Sequence, residues 1–565
     1  MGDTIWYASR SNVVEATFLQ RLTEGPTLLL QLGFLAGAVL LLLSWRDLMR
    51  LARRIGKRDW IWLSAWTAAG AVFRLAGGIR IPMFTNTRGL GHGFNLLNEV
   101  LVWSPLTPDS HGNGFHALYG LLLSLLPQSE MSIVVVQYLM SVACIPLLYF
   151  ASRFIFENKS AAAWSAAVLA ALPAHAYFAT TEIRLVPGVF FMLLSLCALG
   201  AASRVRRLAP LVAAALFALL STQFYPLLMP LPLVIGLLAA AAPRMRILFR
   251  SRRSWLVAGL CLLAWCVPAV WLAWIILTRE GAVIGTGFWE VLTDAHTVLN
   301  PTFSPEPHLP YNAFLMSTCT PPLFWILALT GVVAVCATRS GRRYVSWFAV
   351  LAVAAAAIIF TLPGMAPGRL NLPRLQQAAL VLWIMLTGVG LGLVVDMLLR
   401  RELFRAMAGA AAIVVAVLIW PGPTGKLHTL QHERRAFQAA LPHLKDECAV
   451  VFPPLFDWEN LDIPAYLAEQ AGRRLRWGAL SSPAIPPKLL EENSCLYYYR
   501  TSTCFAVTSG ELKITGMRPE CRNLENSLEL EPAFLKQIPA VPDDLQSYTA
   551  DTIEVGFFRV LGFCD

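Results

Sequence analysis

Four stretches of this chain hold polar residues whose types and spacing could do chemistry. Thr180-Thr181-Glu182-Ile183-Arg184 lies between two apolar runs. A carboxylate and a guanidinium two residues apart can form a site for an anionic headgroup, with Glu182 orienting Arg184. The same pair can also be an exposed ion pair of little energetic weight. The stretch 80–114 contains His92, Asn95, Asn98, Glu99, Asp109, His111 and Asn113, with His116 just beyond. Long polar loops are more often functional than merely connecting. Removing a hydroxyl proton needs a carboxylate or His in reach, so Glu99 and Asp109 are candidate general bases and His111 a candidate substrate contact. Each carboxylate has a structural use as well: Glu99 on the polar face of an interfacial helix, Asp109 as a cap. Gln223-Phe224-Tyr225-Pro226 sits at a tight turn and offers Gln223 and Tyr225 to a substrate, although Tyr is also a common interface anchor. Arg369 to Arg374 (RLNLPR) precedes a long apolar run. Arg suits a phosphate, which it can hold through two parallel hydrogen bonds.

The elements that must position these residues are membrane spans. The chain has 565 residues, 56% hydrophobic and only 14% charged, against about 25% charged in soluble domains. That balance excludes an ordinary soluble enzyme, a disordered chain and a small disulfide-stapled module. Apolar runs long enough to cross a bilayer are read at Thr27–Trp45, Trp60–Gly78, Met131–Phe150, Ala161–Ala179, Val186–Ala202, Leu208–Thr222, Tyr225–Ala242, Trp255–Leu277, Pro321–Ala337, Val345–Leu362, Gln376–Leu399 and Ala406–Pro421. Phe115–Pro127 is apolar but short, and is expected as an interfacial or re-entrant helix. Alternate loops carry 22 Lys and Arg against eight in the opposite set with the first 26 residues, the tail left out. The positive-inside rule then puts the short loops in the cytoplasm and the long ones, with both termini, outside. Residues 1–26 form an outward segment without the basic start and apolar core of a cleavable leader. Residues 27–421 form the membrane domain, with outer loops 80–130 and 278–320.

Residues 422–565 differ from the rest. They hold 14 Lys and Arg against 19 Asp and Glu, a net −5, in a chain of net +10. A basic membrane body with an acidic tail excludes a nucleic-acid partner. The tail reads as a small extracytoplasmic α/β domain: strand-like runs at Ala449–Phe456, Cys495–Arg500 and Val555–Phe563, and a helix at Asp462–Ala471. Its five cysteines, Cys448, Cys495, Cys504, Cys521 and Cys564, match no zinc spacing. In an exported domain they can form disulfides, with at least one left over.

The order of these parts resembles the GT-C membrane glycosyltransferases, in the branch with protein mannosyltransferases and lipid A aminoarabinose transferases. Leu172–Phe190 (LPAHAYFATTEIRLVPGVF) is similar to that branch's Pro-containing span end, aromatic residues and E-x-R. Gln223-Phe224-Tyr225 stands where the family has a His/Tyr-Tyr/Phe pair, and Arg374 resembles its R-Y-L-L-P element. His111 to Ser124 is similar to its H-P-P-L-Y-Y-L-L-L segment without the prolines. One departure is that Thr85 or Asn86 follows Arg74-Leu75 at the place where the family has an acidic residue.

The resemblance implies an α-helical polytopic protein with a GT-C-like bundle of about twelve helices. It would move a sugar, with inversion, from a polyprenyl-phosphate donor to a hydroxyl of a lipid, glycan or protein acceptor. Transfer would occur at the outer face of a bacterial cytoplasmic membrane. Arg184 and Arg374 would hold the donor phosphate, and Glu99, Asp109 or Glu182 would serve as base. No cofactor and no metal ligand set is assigned, while a divalent metal is compatible with the chemistry. Other readings are an O-antigen ligase or polymerase, a non-catalytic binder of lipid-linked sugar, and a secondary transporter. The ligase suffers from having its largest outer element at the C-terminus, and the transporter from few charges within the spans, chiefly Arg74 and Asp396.

Overall fold

The computed structural model describes residues 4–7, 25–76, 114–127, 130–172, 175–176, 179, 185–205, 207–224, 228, 231–241, 251–252, 255–256, 259–260, 263, 266, 332–333, 349, 377–398, 430–453, 464, 467–468, 471–480, 495–508, 513–540 and 551–561. Strand β1 (Thr4–Tyr7) comes first, then helices α1 (Gly25–Arg53), α2 (Lys57–Ala76), α3 (Gly114–Leu123), α4 (Glu130–Phe156), α5 (Lys159–Ala171), α6 (Leu185–Val205), α7 (Leu208–Thr222), α8 (Leu231–Ala241) and α9 (Gln377–Leu398). The tail adds α10 (Leu430–Ala440), β2 (Ala449–Phe452), β3 (Arg476–Leu480), β4 (Leu496–Arg500), β5 (Phe505–Thr508), β6 (Lys513–Met517), α11 (Pro519–Asn526), β7 (Leu530–Pro539) and β8 (Thr552–Val560).

Leu30–Arg53, Met131–Phe156 and Leu185–Val205 are long and apolar enough to cross a membrane. The expected spans at Trp255–Leu277, Pro321–Ala337, Val345–Leu362 and Ala406–Pro421 lie, apart from isolated positions, outside the described residues. Several helices run past their expected bounds, as α1 does to Arg53 and α4 to Phe156, and two bounds move inward by several residues. The fourth run was expected to Ala179, but α5 ends at Ala171 and Leu172 is extended (φ −67°, ψ 117°). Pro173 follows, and a residue before proline is pushed out of the helical region. The seventh run was expected from Tyr225, whereas α8 begins at Leu231, with Pro232 in its tolerant first turn. The short run at Phe115–Pro127 gives α3, which buries every residue from Gly114 to Gly120. Over these residues α3 is packed on all sides.

Loops expected on one side of the membrane meet at one end of the bundle. The buried Asp47 of α1 pairs with Arg207 at 2.9 Å, before α7, and with Arg50 at 3.5 Å. Asp59 of α2 pairs with Lys159 at 3.6 Å. Arg204 of α6 donates to the Phe154 carbonyl from Nε and Nη2, at 2.8 and 2.6 Å, and pairs with Glu157. Asp396 of α9 accepts from Ser160 Oγ at 2.5 Å and Asn158 Nδ2 at 3.3 Å. Asn158 is also the N-cap of α5, its Oδ1 accepting from Ala161 N at 3.0 Å. Helices α5 and α9 can approach this closely because Gly388 and Gly392 present no side chain. A Cβ on either would collide with Ser165 or the Ala161 backbone. Small residues four apart are the usual device for close helix contact in lipid.

The tail is a mixed six-stranded sheet of order β1-β3-β2-β4-β8-β7, with a separate β5–β6 hairpin. β2 runs parallel to both β3 and β4. The helical residues 464, 467 and 468 fall within the expected Asp462–Ala471 helix. Gly472 ends that helix in the left-handed region (φ +70°), and Arg473 N donates to Ala468 O at 2.8 Å. The edge strand β1 comes from the other end of the sequence and pairs antiparallel with β3, Thr4 opposite Leu480 and Tyr7 opposite Trp477. Disulfides join Cys448 to Cys495 and Cys504 to Cys521, while Cys564 lies outside the described residues. An aromatic core of Phe437, Phe452, Trp477, Tyr499 and Phe557 also takes in Val134 of α4, so the sheet body packs directly on the N-terminal end of that helix.

Two predictions follow from this packing. Gly392→Val forces α9 off α5 and costs about 1–3 kcal/mol. The melting temperature of the detergent-solubilised chain should fall by several degrees, and an unchanged melt would refute the seam. In the tail, the buried Glu433 accepts from Ser502 N at 2.9 Å, from Ser502 Oγ and from Tyr499 Oη at 3.4 Å. Burial pushes its carboxyl up from 4.5 to about 7 against those hydrogen bonds. The folded tail therefore binds this proton more tightly than the unfolded chain. Stability from this group is full below the unfolded value and is lost as pH rises from 4.5 to about 7, by about 3 kcal/mol. Thermal melts of wild type and Glu433→Gln should converge at the acid end and separate above neutrality, with the variant higher; parallel curves would exclude this.

Candidate functional site

Helix α5 stops at Ala171, and Pro173 has no N–H to offer Leu169 O four residues back. The carbonyls of Leu169 and Ala170 are met from the side by Arg74, near the end of α2 and fully buried. Arg74 Nη1 donates to Ala170 O at 3.2 Å and to Gly70 O of its own helix at 2.8 Å. Nη2 donates to Leu169 O at 3.3 Å and to His175 Nδ1 at 2.8 Å. Nε donates to Ser141 Oγ of α4 at 3.0 Å. A guanidinium has five N–H donors, and here all five are engaged. Its charge also lies at a helix C-terminus, where the macrodipole favours a cation.

His175 is also buried, at 3% exposure. Arg74 can only donate, so His175 Nδ1 must accept, and the neutral ring carries its proton on Nε2. Ser141 Oγ stands 3.2 Å from the same Nδ1 and closes a three-residue cluster joining α2, α4 and the turn after α5. In sequence, the cluster borders the two stretches that hold most of the candidate chemistry. Arg74 is six residues before the 80–114 loop, and His175 is seven before Glu182.

A second contact organises the same end of the bundle. The backbone N of Gly114, where α3 begins, donates to Gln223 O at 2.8 Å. Gln223 follows the last turn of α7, and its Nε2 donates to Thr222 Oγ1 at 3.2 Å. Phe224 beside it is buried, stacked on Phe191 at 5.5 Å and close to Phe34 at 6.0 Å. A side chain on Gly114 would run into the Gln223 backbone, with contacts of 2.8 and 2.9 Å. The start of α3 and the turn after α7 are thus held against each other by backbone contact.

Of the residues named from the sequence, Gln223 is described and half-buried. Glu99, Asp109, His111, Glu182, Arg184, Tyr225 and Arg374 lie outside the described residues. His175 and Ser141 received no role from sequence. The available signal was Arg74 itself, a charge inside an otherwise apolar run, which demands polar partners nearby. Asp396, the other such charge, is held by Asn158 and Ser160 at the opposite end.

Comparison with known proteins meets the same region. Residues 110–274 match the family of dolichyl-phosphate-mannose-protein mannosyltransferases. That stretch contains Ser141, His175 and Gln223, while Arg74 precedes it. No curated protein matches the chain. Among solved structures, the chain is similar to an oligosaccharyltransferase from Archaeoglobus fulgidus crystallised with Zn and sulfate, at 12% identity and TM-score 0.44 over 73% of this chain. A structure of the archaeal oligosaccharyltransferase AglB from that organism, with an inhibitory peptide and a dolichol-phosphate, matches at 14% identity and TM-score 0.43 over 74% of this chain. The chain spans 62% and 65% of those proteins. It is also similar to ArnT from Cupriavidus metallidurans in the apo state, at 12% identity and TM-score 0.45, over 89% of this chain and 99% of that one.

The clamp makes a prediction of its own. Arg74→Lys offers three donors on a point charge where five in a plane are engaged, leaving buried acceptors unmet at about 1–3 kcal/mol each. The variant should melt well below wild type. His175→Asn, which keeps an acceptor, should cost less than His175→Leu. Equal melts for wild type and Arg74→Lys would remove Arg74 from this role.

Proposed function

We propose that this protein is a membrane glycosyltransferase that moves a sugar from a polyprenyl-phosphate donor to a hydroxyl acceptor. The observation that carries the reading is the mannosyltransferase match over residues 110–274, which takes in Glu182-x-Arg184 and Gln223-Phe224-Tyr225. We place the reaction outside a bacterial inner membrane, with the tail periplasmic. Two disulfides in the tail support an oxidising compartment, and the loop charges support the same orientation.

The roles follow from what each group can still do. The donors of Arg74 are all engaged within the bundle, so it supplies scaffold and not phosphate contact. The phosphate then falls to Arg184 or Arg374. A carboxylate from Glu99, Asp109 or Glu182 takes the acceptor proton as the hydroxyl oxygen attacks the anomeric carbon. The bond from that carbon to the phosphate oxygen breaks, and the lipid phosphate leaves with the charge. A fixed guanidinium stabilises that developing charge more than it stabilises the substrate, which is the condition for raising the rate. Attack opposite the leaving group inverts the anomeric centre.

The test is turnover of a panel of polyprenyl-phosphate sugars by the purified chain, with and without added divalent metal. Wild type should consume one of them. Arg184→Ala or Arg374→Ala should lower kcat about 100-fold or more, as expected for loss of a transition-state contact. One of Glu99→Gln, Asp109→Asn and Glu182→Gln should abolish transfer while leaving donor binding intact. Donor binding without turnover in wild type would support a non-catalytic sugar-lipid binder, and absence of both would overturn the reading.

A further inference from the structure

At the opposite end from the Arg74 cluster, the turn between α1 and α2 concentrates positive charge that the rest of the fold does not absorb. Arg46, Arg50, Arg53, Arg54, Lys57 and Arg58 fall within one short segment and all six are exposed. The segment has two carboxylates of its own. Asp47 is buried and turned toward Arg207 and Arg50, and Asp59 faces Lys159. Arg46, Arg53, Arg54, Lys57 and Arg58 therefore face no carboxylate among the described residues. Other cations at this end behave differently: Arg204 is held by Phe154 O and Glu157, and Arg207 and Lys159 by the two aspartates.

The turn is rigid. Arg54 N donates to Leu51 O and Ile55 N to Ala52 O, while Asp59 N and Trp60 N both donate to Gly56 O. Leu51 and Ile55 are buried against the neighbouring helices and pin it from below. Exposed Trp45, Trp60 and Trp62 flank the cations on both helices. Tryptophan favours the level of lipid headgroups, so this flanking sets the cations at phosphate depth. The sorting rule accounts for basic residues in this loop. It does not account for two carboxylates drawn away to other helices while the cations stay splayed on an ordered turn between tryptophans.

We propose that the α1–α2 turn is a binding site for the headgroups of anionic phospholipids in the leaflet it faces. Clusters of four to eight cations beside a span are the usual means of holding such lipids. Here the ordered turn removes the cost of organising the chain on binding. The site is independent of the glycosyl-transfer reading.

Native mass spectrometry of the full chain in detergent, titrated with phosphatidylglycerol or phosphatidylethanolamine, tests it. Wild type should retain the anionic lipid preferentially, and ~0.5 M salt should weaken that retention. Arg53→Gln/Arg54→Gln/Lys57→Gln/Arg58→Gln should lose the preference by about fivefold or more. Arg339→Gln/Arg342→Gln/Arg343→Gln, which removes charge from another basic loop, should retain lipid as wild type does. Single variants Arg54→Gln and Arg58→Gln keep most of the sorting charge and should each lower retention by about twofold. Retention unchanged in all of these, equal loss in the Arg339/Arg342/Arg343 variant, or no preference in wild type would overturn the proposal.

Discussion

A helix that ends inside an apolar bundle leaves carbonyls that lipid cannot satisfy. Pro173 imposes such an end on α5, and the buried Arg74 resolves it from a neighbouring helix. The rest of that end of the bundle depends on that solution. The guanidinium meets Leu169, Ala170, His175 and Ser141 at once, which fixes three helices relative to one another. In sequence, Arg74 and His175 border the stretches that hold the candidate acids and bases. A lysine or an apolar residue could fill the volume, but neither could satisfy a planar array of acceptors. The arrangement needs a proline in one helix and an arginine in another, almost a hundred residues apart.

The two ends of the bundle use polar residues differently. At the Arg74 end a cation is sealed inside and coordinated by neutral groups. At the other end pairs such as Asp47–Arg207 and Asp59–Lys159 fasten helices near the surface, with their cations more than half exposed. Exposed pairs add little stability singly. Their value is positional: each ties the start of one span to the end or start of another.

Much of this was legible in the sequence, for identifiable reasons. Leu208–Thr222 has the same bounds in sequence and structure because an arginine precedes it and a polar turn follows. The strands at Leu496–Arg500 and Thr552–Val560 are rich in aromatic and β-branched residues and were expected nearly in place. The early end of α5 was not, because hydropathy continues through Leu172 and Ala174 while one proline decides the backbone. The roles of His175 and Ser141 were also hidden. A buried histidine and serine among apolar residues acquire meaning only when the arginine that needs them is known to lie across from them. The pairing of Thr4–Tyr7 with β3 had no signal, since a four-residue strand carries too little pattern to declare a partner so distant.

That pairing has a consequence for how the chain is made. Thr4–Tyr7 precedes its partner strand, Arg476–Leu480, by most of the chain's length. At ordinary synthesis rates of about 5–20 residues per second, roughly 20 to 100 seconds separate the two. During that interval the first strand has no native neighbour, and the whole membrane domain is inserted in between. The sheet can close only after the first and last segments have reached the same side of the membrane, so β1 acts as a late lock on correct insertion.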